Sequence, residues 1–155
     1  MIALVYGLSV DFEGVDAFER IVGAARTQGV HARPLPDRME FFARQLIGTP
    51  YVGGTLERDI RNETCFVTLR GLDCVTFAET VLALARLDLT APPTPADLVA
   101  NVQNTRYRDG LVDGYLSRLH YTSDWFADNA RRGTWTNITS SLPGARLDRR
   151  PISFM

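Results

Sequence analysis

The chain has 155 residues, of which 45% are hydrophobic and 23% charged, and its formal net charge at pH 7 is -1. That length suits a single domain with a real core, and the near-neutral charge gives no electrostatic reason to bind nucleic acid or an anionic membrane. Two cysteines make no disulfide framework.

The opening run Met1 to Val10 is apolar, carries no Lys or Arg, and is followed by Asp11 and Glu13. It lacks the basic start of a secretory signal and is too short to span a bilayer, so it reads as a strand or an N-terminal arm. Residues 16–28 read as a helix with Phe18, Ile21, Val22 and Ala25 on one face, ended by Gly29. His31 to Pro36 is a connector, because two prolines oppose helix, and His31 reads as an exposed or capping histidine. A second helix is expected from about Asp37 to Ile47, capped by Asp37, with Met39, Phe42, Ala43 and Leu46 inward.

Gly48 ends that helix, and the loop Pro50-Tyr51-Val52-Gly53-Gly54 has no side chain at two successive positions, which permits a tight turn or a close approach of backbone. Thr64 to Leu69 is a short β-rich run in which Cys65 reads as a small apolar strand residue. Next comes Gly71-Leu72-Asp73-Cys74-Val75-Thr76-Phe77-Ala78-Glu79, the start of a strongly patterned helix with Val75, Ala78, Val81, Leu82 and Ala85 on its buried face. Asp73 suits the cap of that helix, which puts Cys74 at its first position, where unpaired N–H groups and the helix dipole favour a thiolate. The neighbouring Asp73 charge opposes a second negative charge, unless the carboxylate is spent on backbone N–H groups. Local features leave two readings of Cys74 open, a nucleophile or a buried structural cysteine.

Pro92-Pro93 breaks the chain. Thr94 then caps a further helix with Pro95 at its first position and Leu98, Val99 and Val102 inside. Asp109-Gly110 and Asp113-Gly114 signal turns, Gly114 to Arg131 is partly helical, and Trp135, Ile138, Ile152 and Phe154 read as strand residues. No repeat and no long linker divides the chain.

The runs Gly48 to Leu56 and Leu72 to Glu79, then Arg106 to Gly110, Gly114-Tyr115, Arg118 to Tyr121 with Asp124-Trp125, and Ile152 to Met155, resemble the NlpC/P60 superfamily of papain-like cell-wall peptidases and amidases. The branch they are most similar to is the N-acetylmuramoyl-L-alanine amidase-like one, also known as the family of unknown function 1460. The resemblance covers residues 38 to 155. It implies an α+β papain-like fold, with helices packed on an antiparallel sheet, left short at the C-terminus. The chain then divides into a 1–35 extension and helix and a 36–155 amidase-like domain.

The resemblance further implies a cysteine-dependent amide hydrolase acting on peptidoglycan or muropeptides. Cys74 is the nucleophile and Tyr51 sits beside it and contacts substrate. An amide hydrolase of this kind also needs a base and donors for the oxyanion. Relatives draw the base from a histidine in a strand beyond Ile152 to Met155, where this chain ends. The expectation is a shortened form lacking its base and part of its sheet, prone to self-association through the incomplete sheet. The competing readings are a rearranged site using His120, or a remnant that binds muropeptide without cleaving it.

His120 is read first as a partly buried histidine bonded near Asp124 or to backbone, and second as the base. Among the arginines, Arg118 is the candidate for substrate carboxylates, while Arg106 and Arg108 are read as solvated surface; Asp73 at the cap is a further substrate-binding candidate. Aromatic residues from Tyr115 to Trp125 suit either core or a stacking surface for sugar or peptide. The His and Cys spacing does not suit a metal, and no cofactor is implied. Relatives that act on peptidoglycan work outside the cytoplasm, so either a leader has been removed or the protein reaches its substrate by another route.

Overall fold

The computed structural model describes residues 4–5, 8–59 and 61–144. Its elements are β1 (Leu4–Val5), β2 (Leu8–Ser9), β3 (Phe12–Glu13), α1 (Val15–Thr27), α2 (Leu35–Gln45), β4 (Val67–Thr68), α3 (Cys74–Ala85), α4 (Pro95–Arg106) and α5 (Thr122–Arg131), with short 3-10 turns between them. β1 and β2 pair antiparallel; β3 and β4 pair parallel, with Phe12 opposite Val67. No helix among the described residues is long and apolar enough to cross a membrane.

The fold is therefore rich in helix with very small sheets, and among the described residues antiparallel strand pairing is confined to the two-residue strands β1 and β2, not the expected sheet with helices packed on it. The Thr64 to Leu69 run shows why: the Tyr107 hydroxyl donates to the Thr64 carbonyl at 3.0 Å, and the Arg106 guanidinium donates to the Phe66 carbonyl. Side chains satisfy acceptors that a neighbouring strand would otherwise take, so only Val67–Thr68 enters a ladder. Trp135 and Ile138 are not in strands either; Trp135 turns its indole N–H to the Phe126 carbonyl at 3.2 Å and packs on the ring of Trp125. Ile152 and Phe154 lie outside the described residues.

α3 sits between α2 and α4. Its second half, Val81 to Ala85, is buried on every side against a core that includes Phe18, Ile21, Phe42, Leu98 and Val102. At its first turns the buried side carries Thr76, Glu79 and Thr80, whereas Val75 and Ala78, expected inside, are exposed. The apolar spacing was right for the far end of the helix. Near Cys74 the buried side is polar, because Thr76 belongs to the cap and Glu79 meets a buried arginine.

α2 starts at Leu35, two residues earlier than expected, with Pro34 as N-cap, Pro36 in the first turn and no side-chain cap bond from Asp37. Proline fixes φ near its helical value and lacks an N–H that the first turn leaves unpaired anyway, so Pro34 and Pro36 admit the helix rather than oppose it. Phe41 is buried there beside Phe42, while Met39 and Ala43 are half-buried. α4 follows its expectation: Thr94 caps it, Pro95 opens it, and Leu98, Val99 and Val102 are buried.

Candidate active site

The first turn of α3 is built by its cap. The Asp73 carboxylate accepts from the Val75 and Thr76 amides at 3.0 and 2.8 Å, and the Thr76 hydroxyl accepts from the Asp73 amide at 2.8 Å. This reciprocal box fixes the helix entry and spends the Asp73 charge on backbone N–H groups. The Phe77 amide is taken by the Asp73 carbonyl, and among the described residues the Cys74 amide has no acceptor. Cys74 is a free thiol, exposed, at the first residue of the helix. Asp73 thus serves as the cap.

The Tyr51 loop lies against this entry. The Val52 amide donates to the Leu72 carbonyl at 3.1 Å and the Leu72 amide to the Pro50 carbonyl at 3.0 Å, a short parallel bridge that places Tyr51 opposite Leu72. The approach depends on Gly71, where an added Cβ would stand 2.5 Å from a Val52 methyl. Gly54, at φ +74, closes the turn in a conformation that suits glycine. Tyr51 itself is 76% exposed. The structure thus brings the Tyr51 loop and Cys74 to one edge.

The other predicted residues lie elsewhere. Arg118 is buried, paired with Glu57 at 2.9 Å and Glu63 at 3.2 Å and set over the Tyr115 ring, so its charge is used inside the protein. His120 is exposed rather than partly buried; its Nε2 meets the Tyr115 carbonyl at 2.9 Å and its ring tilts on Tyr115, while Asp124 faces Arg108. Nothing in these contacts joins His120 to Cys74. Among the described residues, no group of three or more His, Cys, Asp or Glu could hold a metal ion.

Arg106 departs most from expectation. It is 2% exposed and its Nε donates to the equally buried Glu79 at 2.8 Å. Burial raises the Glu79 carboxyl above its ordinary range, and Arg106 opposes that rise. Arg106 lies four residues past Val102 and eight past Leu98, on the buried face of α4, and its charge is what led it to be read as surface. That spacing, with a carboxylate on the inner side of α3, is the sequence signal that could have found the pair. Cys65 is buried, and burial pushes its thiol up to about 12.

Solved structures similar to this chain carry different names. A Bacteroides fragilis protein whose name proposes a xylanase is 38% identical, with a TM-score of 0.60 over 66% of this chain and 44% of its own. An N-acetylmuramoyl-L-alanine amidase from Bacteroides uniformis is 36% identical, with a TM-score of 0.56 over 63% of this chain and 40% of its own. A Legionella pneumophila protein of the family DUF1460 is 26% identical, with a TM-score of 0.61 over 81% of this chain and 42% of its own. The chain thus spans less than half the length of these relatives. A comparison with curated proteins gave no match. The AmiA-like family profile, described as N-acetylmuramoyl-L-alanine amidase-like, matches residues 41–151, and the chain belongs to that family.

Proposed function

We propose that this protein is the cysteine-bearing part of an amide hydrolase acting on peptidoglycan or muropeptides, of the papain-like NlpC/P60 kind. The bond assigned to it is that between N-acetylmuramic acid and L-alanine. The observation that carries the reading is Cys74, an exposed free thiol on the first residue of a helix whose cap spends Asp73 on the neighbouring amides. In this mechanism the Cys74 sulfur attacks the carbonyl carbon and forms a tetrahedral oxyanion. The Cys74 N–H, at the positive end of α3, donates to that oxyanion. The tetrahedral species collapses to a thioester as the C–N bond breaks and the amine leaves with the proton given up by the Cys74 thiol; water then cleaves the thioester, releasing the acid and returning a proton to the sulfur. Tyr51, on the adjoining loop, orients the substrate.

Glycoside cleavage, which one relative's name proposes, needs two carboxyl groups facing the sugar. On α3 the available carboxylates are committed: Asp73 to the cap and Glu79 to Arg106. A second reading, a module that binds muropeptide without turnover, is favoured by His120, whose Nε2 is engaged at the Tyr115 carbonyl.

Incubating the chain with a disaccharide tetrapeptide and following products by mass spectrometry separates the two. Release of free peptide, lost in Cys74→Ala, supports the hydrolase. Binding without release supports the module. Loss of cleavage also in His120→Ala, with the fold intact, would return His120 to the role of base.

A further inference from the structure

The chain that leaves the Tyr51 bridge is tied down at a second place. Glu57 and Glu63 both pair with the Arg118 guanidinium, Glu57 at Nη2 over 2.9 Å and Glu63 at Nε over 3.2 Å. The two pairs differ in exposure. The Glu63 and Arg118 side chains are each 5% exposed, and Glu63 also accepts from the Tyr107 hydroxyl at 2.7 Å, whereas the Glu57 side chain is 51% exposed. Arg118 itself is held by a backbone bridge to Tyr107 and by the ring of Tyr115. Between Tyr51 and Glu57 lie Gly53 and Gly54, where an added Cβ would meet nothing within 4 Å. The Glu57 amide donates to the Gly54 carbonyl at 3.2 Å, so Gly54 to Glu57 forms one turn, and its Thr55 and Leu56 line a small cavity together with Leu72 and Thr76 at the α3 entry.

We propose that the Glu57 and Arg118 pair is a latch that sets the turn Gly54 to Glu57, and through it the Tyr51 loop, against the start of α3. Glu57 is thus a positioning residue, and its consequence for turnover rests on the amide-hydrolase reading above. An ion pair open to water is worth little, so its opening changes the balance between latched and unlatched forms by about fivefold or less. Stranding a buried guanidinium is costly, but when Glu57 leaves, Glu63 stays on Arg118 and keeps its charge compensated. The two glutamates therefore have different tasks: Glu63 holds Arg118 at all times, and Glu57 comes and goes. Gly53 and Gly54 absorb the backbone change, because neither has a Cβ to clash. The Val52 to Leu72 bridge then loses the turn that supports it, whereas the Val67 and Leu69 amides keep their bonds to the Asp11 and Glu13 carbonyls.

Amide hydrogen exchange, followed by NMR on the full chain, tests the latch without turnover. Glu57→Gln is expected to speed exchange of the Val52, Glu57 and Leu72 amides about twofold to fivefold and to leave Val67 and Leu69 unchanged. Raising sodium chloride from about 0.05 M to about 0.5 M is expected to do the same in the wild type and to add nothing in Glu57→Gln, because salt screens the exposed pair. Glu63→Gln is expected instead to speed all five amides or to unfold the chain, since it removes the charge that neutralises the buried Arg118. Equal exchange patterns in the two variants overturn the latch, as does Val52 and Leu72 exchange that neither salt nor Glu57→Gln changes. In muropeptide cleavage, Glu57→Gln is expected to raise KM up to about fivefold with kcat within about twofold, because unlatching lowers only the fraction of chains ready to bind. A loss confined to kcat overturns the positioning role. Local exchange changes with no cleavage in any form keep the latch and sink the hydrolase; Cys74-dependent cleavage with exchange unchanged keeps the hydrolase and sinks the latch.

Discussion

The two cysteines differ in ways that solvent and chemistry can read. Cys65 is buried, with its thiol raised to about 12 by desolvation, whereas Cys74 is exposed at a helix start. Iodoacetamide at neutral pH is expected to label Cys74 in the native chain and both cysteines after denaturation, which peptide mapping checks. Asp128 supplies a second residue-level expectation. Burial works against its charge, yet bonds from Arg132 and Arg131 prevail and hold its carboxyl below the ordinary aspartate range. Its folded value being the lower one, its stabilising contribution is present above about pH 4 and is lost as pH falls through the folded value. Asp128→Asn is expected to cost about 2 kcal/mol at pH 7 and to flatten the acid limb of a urea-unfolding series between pH 3 and 6.

At the level of elements, the contact between the Tyr51 loop and the α3 entry depends on one missing side chain. Gly71→Ala sets a Cβ against Val52, so the loop must move although the helix cap remains. The expected outcome is at least a tenfold loss of muropeptide cleavage with a change of less than about 1 kcal/mol in stability, because the loop is largely solvent-exposed. Val52→Ala in the same chain is expected to restore much of the activity, since it removes the methyl that clashes. Failure of that rescue would show that Gly71 acts through its own backbone freedom and not through the close approach.

For the whole molecule, the Glu79 and Arg106 pair joins three pieces of the fold: α3 through Glu79, α4 through Arg106, and the chain before β4 through the Phe66 carbonyl. Removing one partner leaves an uncompensated buried charge, so Glu79→Ala is expected to cost about 3–5 kcal/mol in chemical denaturation. Replacing both by apolar residues of similar volume, Glu79→Leu with Arg106→Met, is expected to recover most of that loss. If the double variant is as unstable as the single one, the pair stabilises by its specific bonds and not merely by mutual neutralisation.

Much of the site was legible because capping and helix entry are local. Asp73, Cys74 and Thr76 lie within one turn, and their hydrogen bonds follow from spacing alone. The same holds for Thr94 and Pro95 at α4. What lies inside could not be read from spacing alone, because burial depends on segments far apart in the chain. Arg106 reads as a surface residue and Arg118 as a substrate-binding one until Glu79, Glu57 and Glu63 are brought against them. The carbonyls of Thr64 and Phe66 look ready for a strand until Tyr107 and Arg106 take them. By itself the sequence determined where α3 and α4 begin and which thiol stands at a helix start. Only the tertiary structure decided which charges are neutralised inside, and which side of α3 stays open, because both depend on the free energy of desolvating groups that the chain separates.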